Sequence, residues 1–265
     1  MKKKVLIIGL DGCRADAFQK ATTPNLDQLA KNGVYSWNAQ TELHTISGPA
    51  WTSLLTGVHD DKHKVFDNDF KPRNLAYKTL FSLVKEKYPQ IRCVGHSHWK
   101  PIITEIFEKK ILNHSSSGSD RKMAYRIAQD IKKDKGDLYF VQLDEIDGAG
   151  HQYTYHVDSP NYIKKIEEID QYVGEMIAAV KTRPIDEDWL ISVVSDHGGE
   201  GKSHGAPTSG CLTIIFIISG NPVPTKGEIP GVEEKAPSIV DVVPTIAKFL
   251  EFTPKPEWDG IIRGL

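Results

Sequence analysis

The sequence predicts an α/β protein: a central, largely parallel sheet with helices on both faces. Two observations carry this. Short apolar runs at residues 5–10, 92–94, 138–143, 190–194 and 212–218 alternate with longer stretches of helical periodicity at 24–32, 77–88, 121–133, 162–181 and 239–249. Strand–helix alternation is the mark of βα units and a parallel sheet. The runs are nearly continuous in apolar residues rather than apolar at every second position, as expected when both faces of a sheet are covered.

The first run follows Met1-Lys2-Lys3-Lys4 and so imitates a signal peptide. It stops at Asp11 without a small-residue cleavage site, and reads as a first buried strand; a cytoplasmic location is expected. The segments 115–119, Ser-Ser-Ser-Gly-Ser, and 221–235 read as loops, and neither looks like a domain boundary. With 265 residues the chain is expected to form one domain over 1–265, because single cores grow to roughly 250–300 residues before splitting.

Composition narrows the function. Hydrophobic residues make up 39% and charged residues 26%, as in a soluble globular protein. A net charge of −2 supplies no field to attract a nucleic-acid polymer or an anionic membrane, and no segment is long and apolar enough to span a bilayer. Cys13, Cys93 and Cys211 are odd in number and contain no C-x-x-C pair, so neither a disulfide framework nor a thiolate zinc site is expected. The oligomeric state is not legible.

Three apolar runs end on acids. The first delivers Asp11-Gly12, the third Asp144-Glu145-Ile146-Asp147, and the fourth Ser195-Asp196-His197-Gly198-Gly199. Ligands in open α/β sheets bind beyond the carboxyl ends of the strands, so these acids converge if the strands are neighbours. An Asp at one strand end is ordinarily a turn or helix cap. Three repeats, two of them with histidines, point elsewhere. His197 follows Asp196, His151 lies four residues after Asp147, and His204 sits in Ser203-His204-Gly205. Oxygen and nitrogen ligands without thiolates suit zinc or a similar divalent ion, and two groups of them suggest two ions. His44, His59, His63, His114 and His156 lie in polar stretches and read as surface residues; His96 and His98 follow a strand and are candidates for the pocket wall.

Ser47 stands before Gly48-Pro49-Ala50-Trp51, in a segment that closes on Gly57. Pro in the first turn and Gly past the last turn mark a helix between them. Composition alone makes Ser47 an N-cap. The alternative is a nucleophile, because a helix N-terminus favours a bound anion and metal coordination activates a hydroxyl.

In this order the motifs resemble the alkaline phosphatase superfamily, in particular its type I phosphodiesterase/nucleotide pyrophosphatase branch. The resemblance runs from Val5 to about Phe249. Thr23-Pro24-Asn25-Leu26-Asp27-Gln28-Leu29-Ala30 is similar to a segment shared with sulfatases. The nucleophile segment, the D-x-x-G-H element at Asp147–His151, S-D-H-G-G at 195–199, S-H-G at 203–205 and D-x-x-P-T-I at 241–246 follow. The resemblance implies that Asp11, Ser47, Asp196 and His197 surround one metal ion and that Asp147, His151 and His204 hold another, zinc or alternatively manganese. It places Asn68 on a phosphoryl oxygen of a small-molecule phosphate ester. It implies a phosphodiesterase or nucleotide pyrophosphatase acting through a phospho-serine. A phosphomonoesterase, phosphonate hydrolase, phosphomutase or sulfatase on the same scaffold is the alternative, and a non-catalytic binding protein the most remote. Sulfatases carry C/S-x-P-x-R, and here Trp51 stands in the arginine position, which argues against a formylglycine nucleophile. Trp51, Trp99 and Tyr153 are candidate stacking walls, and Lys202 and Arg73 candidate basic residues of the pocket.

Overall fold

The structure, a computed structural model, describes residues 2–69, 75–224, 226–229 and 236–265; Arg73 lies outside them. Eight strands form one sheet: β1 Lys2–Leu10, β2 Gly33–Gln40, β3 Cys93–Ser97, β4 His114–Ser117, β5 Leu138–Leu143, β6 Glu187–Ser195, β7 Thr213–Gly220 and β8 Gly227–Glu228, in the order β4-β3-β5-β1-β6-β7-β2-β8. Every neighbouring pair is parallel except the two that β7 makes, with β6 and β2. The helices are α1 Ala15–Lys20, α2 Pro24–Lys31, α3 Ser47–Thr56, α4 Asp60–His63, α5 Leu80–Lys87, α6 Asp120–Lys132, α7 Glu145–Tyr153, α8 Pro160–Lys181, α9 Ser209–Leu212 and α10 Val242–Phe249. None is long and apolar enough to cross a membrane.

The continuous apolar runs divide between two cores with the period of two that a strand imposes. On one face Val5 and Ile7 of β1, Phe140 of β5 and Phe216 of β7 pack under α3, α5 and α10. On the other, Leu6, Ile8 and Leu10, Val141 and Ile217 pack under α1, α2, α6, α7 and α8. Each central strand is thus buried on both sides, which is why its run shows no polar alternation.

Three strands escape the sequence reading. β2 interleaves Ser36, Asn38 and Gln40 with its apolar residues and carries a bulge between Ser36 and Ala39. β8 is two residues long. The segment read as a loop from residue 115 is in part β4, an edge strand of sequence His-Ser-Ser-Ser. Backbone pairing from Val94↔His114 to Ser97↔Ser117 holds it with almost no apolar side chain. β3 also runs further than its apolar core, so His96 is a buried strand residue rather than part of a pocket wall. It pairs with Asp130 at 3.0 Å and with Ser116 at 2.7 Å. His98 pairs with Asp120 at 2.7 Å. His63, expected at the surface, is buried and bonded to Ser53 Oγ at 2.8 Å; burial pulls its pKa down to about 4.

The D-x-x-P-T-I motif closes the fold. Asp241, at the start of α10, accepts hydrogen bonds from Arg263 Nε at 2.8 Å, Ser238 N at 3.0 Å and Ile261 N at 2.8 Å. Both Asp241 and Arg263 are buried. Asp241→Ala should cost about 3–5 kcal/mol, because it removes one partner of a buried ion pair and the acceptor of two backbone N–H groups. Denaturant unfolding measures this, and an unchanged midpoint contradicts the clamp.

Candidate active site

β5, β1 and β6 are adjacent and parallel, so their carboxyl ends lie side by side. Asp11 follows β1, Asp196 and His197 follow β6, and β5 runs into α7, which carries Asp147 and His151 one turn apart. Asp120 of α6 anchors that helix by accepting the N–H groups of Asp144 at 2.9 Å and Glu145 at 2.8 Å. Gly12 separates Asp11 from Cys13 with φ +66, and a Cβ there would stand 2.6 Å from Asp147 Oδ1. Glycine is what lets the β1 turn approach α7 so closely.

The predicted ligands come together. His197 Nε2 lies 3.6 Å from Asp11 Oδ1 and 3.3 Å from Asp196 Oδ2. His151 Nε2 lies 3.2 Å from Asp147 Oδ2, and His204 Nε2 3.8 Å from Asp147 Oδ1. The His197 and His204 rings stack with centroids 4.0 Å apart. The nearest ligand atoms of Asp11, Asp196 and His197 all fall within 4.8 Å of one another, as do those of Asp147, His197 and His204. His197, assigned from sequence to one group, therefore sits between two.

Hydrogen bonding leaves one atom of most of these candidate ligands facing the site. His151 Nδ1 donates to Lys202 O at 2.9 Å, His197 Nδ1 to Gly198 O at 2.8 Å and His204 Nδ1 to Thr45 O at 2.8 Å. A carbonyl only accepts, so Nδ1 of each ring carries a proton and Nε2 is turned to the site, the arrangement usual for metal-binding histidines. Asp196 Oδ1 accepts from the backbone of Gly12 and His197, and Asp11 Oδ2 from Trp51 Nε1 and Gln142 Nε2. The other oxygen of each, Asp11 Oδ1 and Asp196 Oδ2, is buried without a hydrogen-bond partner among the described residues.

Such atoms are costly unless something compensates them. Burial and the neighbouring Asp196, Asp144 and Asp147 push Asp11 well above the usual carboxylate range. Burial and the nearby Asp147 push Asp196 up to about 8. Burial pulls His197 and His204 down, His197 itself adding to the effect on His204. Clustered carboxylates, neutral imidazoles and orphaned oxygens are the donor set of a divalent cation. A third group, His98, Asp120 and Glu145, is different. Asp120 spends its oxygens on α7 and His98, and Glu145 pairs with Lys165 at 3.1 Å.

Ser47 opens α3 but does not cap it. Ile46 is the N-cap residue, no side chain caps the helix, and Gly57 ends it at φ 77. The Ser47 hydroxyl instead lies 3.3 Å from His197 Nε2. Asn68 Oδ1 accepts the N–H of Gly48 at 2.8 Å, which places Asn68 beside Ser47. That N–H is therefore not open to a ligand in this arrangement, and Pro49 has none, so the helix start offers fewer donors than its sequence suggests. Trp51, a candidate stacking wall, is fully buried and unable to touch a substrate; Tyr153 is exposed.

Tyr155 was not legible as part of the site. Its hydroxyl donates to Asp147 Oδ1, and its buried ring fills the space over Gly150 and Gly199, where a Cβ would lie 2.2 Å and 2.4 Å from ring carbons. The only trace in the sequence is that two glycines flank the histidine motifs.

In metal-free protein, burial holds the proton on Asp196 up to about pH 8, against an ordinary value of 3.8 when unfolded. The folded state then binds more protons across that interval, so this contribution is complete below the unfolded value and is lost as pH rises toward 8. Thermal unfolding of chelator-treated protein should show a lower Tm at about pH 8 than at about pH 5, with zinc narrowing the difference. A Tm independent of pH in the chelated protein contradicts this.

Comparison with known proteins follows the same line. A model of the family described as type I phosphodiesterase / nucleotide pyrophosphatase matches residues 5–114 and 97–205. Bovine (Bos taurus) bis(5'-adenosyl)-triphosphatase ENPP4 is 24% identical over 254 residues, covering 87% of this chain and 55% of its own length. An uncharacterized pyrophosphatase/phosphodiesterase of Schizosaccharomyces pombe is 26% identical over 216 residues, covering 73% and 44%. The chain thus spans about half the length of these curated relatives. Murine ectonucleotide pyrophosphatase/phosphodiesterase 5, an inactive variant in complex with AMP, superposes with a TM-score of 0.75 at 18% identity, covering 96% of both chains. A putative sulfatase from Bacteroides thetaiotaomicron superposes with 0.78 at 14% identity, covering 100% of this chain and 74% of its own. The likeness in structure establishes the alkaline phosphatase-like fold. By the match of the family model along most of its length, this chain belongs to the type I phosphodiesterase / nucleotide pyrophosphatase family.

Proposed function

We propose that this chain, acting as one catalytic unit over its 265 residues, hydrolyses small-molecule phosphodiesters or nucleotide pyrophosphate bonds with Ser47 as the nucleophile. The observation that carries this is the place of the Ser47 hydroxyl, 3.3 Å from His197 Nε2, the same nitrogen that two buried carboxylate oxygens without partners among the described residues approach to 3.6 Å and 3.3 Å. Asp11, Asp196 and His197 would hold one divalent ion, zinc or manganese, and Asp147, His151 and His204 a second. Bound there, such ions would lower the pKa of the Ser47 hydroxyl and neutralise charge on the phosphoryl and leaving oxygens.

The chain's own groups do the rest. Ser47 Oγ gives its proton to solvent and attacks phosphorus, the Oγ–P bond forms as the ester bond opposite it breaks, and the leaving oxygen departs in line and takes up a proton from solvent. Water then hydrolyses the phospho-serine, which still carries the remaining ester group, breaking the Oγ–P bond to release a phosphomonoester and restore the Ser47 hydroxyl. The Nδ1–H bonds of His151, His197 and His204 keep Nε2 aimed inward throughout. Asn68, whose Oδ1 is engaged by Gly48, keeps its amide N–H₂ as a neutral donor for a non-bridging oxygen. A neutral donor suits the single charge of a diester. The Trp51 in the sulfatase arginine position supports a serine that stays unmodified. That the murine relative of similar fold binds AMP supports nucleotide esters as the substrate class.

Ser47→Ala should abolish turnover while keeping fold, zinc content and stability. Because the hydroxyl makes no cap bond, the roughly 1 kcal/mol of a lost N-cap is not expected. Turnover in this variant, or trapped phosphate on another residue by mass spectrometry, rejects the nucleophile.

On one enzyme preparation, kcat/KM should fall in the order nitrophenyl ester of a nucleotide, nitrophenyl phosphate, nitrophenyl sulfate. Asn68→Ala should lower the first by at most on the order of 10²–10³, the loss of one transition-state donor. A preference for the monoester favours a phosphatase, and one for the sulfate overturns the branch.

A further inference from the structure

We propose that Trp51 and Gln142 are positioning residues that lock the Asp11 carboxylate with Oδ1 facing the site, and that Trp51 thereby sets the nucleophile helix relative to that ligand. This role rests on Asp11 holding a divalent ion. Both residues donate to the same oxygen, Oδ2, Trp51 Nε1 at 3.0 Å and Gln142 Nε2 at 2.8 Å. A carboxylate whose one oxygen carries two donors cannot rotate without breaking both bonds. Its other oxygen is left where His197 Nε2 approaches to 3.6 Å.

The orientation of Gln142 is fixed by its third contact. Its Oε1 accepts the backbone N–H of Trp99 at 2.9 Å, and its amide nitrogen also donates to Asp144 Oδ1 at 2.8 Å. Every hydrogen-bonding direction of the NH₂ group is in use. A flipped amide would turn a carbonyl oxygen on two carboxylates and an N–H on another N–H, so only one assignment is compatible with the surroundings. The side chain is completely buried, and no water competes for these bonds.

Trp51 is held as firmly, by packing. It is fully buried, meets Phe140 edge-on at 6.1 Å between centroids, and packs its six-membered ring against Gly9 of β1. A Cβ at Gly9 would stand 2.3 Å from the indole, which accounts for a glycine in the middle of a buried strand. Trp51 and Ser47 are four residues apart on α3 and share a face. The indole N–H bond to Asp11 therefore ties the helix that begins with Ser47 to the strand end that bears the ligand. An arginine or an aliphatic residue at position 51 would lose either the fit over Gly9 or the bond.

Partners behind a metal ligand typically contribute 10–100-fold in metal affinity. Metal-free wild-type, Trp51→Phe, Gln142→Met and Asp11→Asn proteins are titrated with zinc by calorimetry, after circular dichroism has checked the fold of each. Trp51→Phe and Gln142→Met should each still take two zinc ions, one bound about 10–100-fold more weakly and the other as in wild type. A merely structural role would weaken both sites alike or neither. Wild-type affinity at both sites in either folded variant overturns the proposal, and so does equal weakening of both. The two bonds are independent, so failure of one variant to fold leaves the other as the test. If Asp11→Asn itself binds two zinc ions at wild-type affinity, the ligand role of Asp11 is wrong, an outcome distinct from the loss of positioning.

Discussion

Oδ1 of Asp11 and Oδ2 of Asp196 lie in the interior with no hydrogen-bond partner among the described residues, and both approach one imidazole nitrogen. Asp147 and Asp144 stand close enough to raise the pKa of Asp11 further. Two like charges about 4 Å apart repel by about 4 kcal/mol at an effective dielectric near 20. A fold that gathers this many carboxylates onto three adjacent strand ends would be working against itself unless a cation completed it. The rest of the site follows from that constraint. One oxygen of each strand-end carboxylate is tied back, each histidine is tied through Nδ1, and the free atoms all face the same space.

The supports for this arrangement are steric as much as polar. Trp51 over Gly9 and Tyr155 over Gly150 and Gly199 place large rings where only glycine leaves room. The backbone of each strand end can then come within bonding reach of its neighbours. Asp120, remote in sequence, caps α7 and so sets the direction in which Asp147 and His151 point. A ligand residue alone does not make the site; the bond behind it decides which atom it offers.

Much of this was legible in the chain. β1, β5 and β6 announced themselves as nearly continuous apolar runs, each ending in acids, because strands buried on both faces need no polar alternation. The meeting of Asp11, Asp147, Asp196 and their histidines, and the start of α3 at Ser47, followed from the same punctuation. β2 and β4 were not legible, since a bulged strand near one sheet edge and a Ser-rich edge strand are held by backbone pairing rather than by apolar side chains. The buried state of His63 and the roles of Tyr155 and Gln142 were hidden for another reason. Each depends on a partner far away in sequence, and no local pattern encodes such a meeting. Ser47 shows the limit from the other side: composition favoured a cap, the order of the motifs pointed into the site, and the structure leaves the helix without a side-chain cap and the hydroxyl 3.3 Å from His197 Nε2.

The most direct test of a two-ion centre built around Ser47 is a crystal of the zinc-loaded protein with vanadate, its metals located by anomalous scattering. Two anomalous peaks are expected, one bonded to Asp11, Asp196 and His197 and the other to Asp147, His151 and His204, with vanadium bonded to Ser47 Oγ. A lone peak, a peak at His98, Asp120 and Glu145, or vanadate seated away from Ser47 would contradict the account.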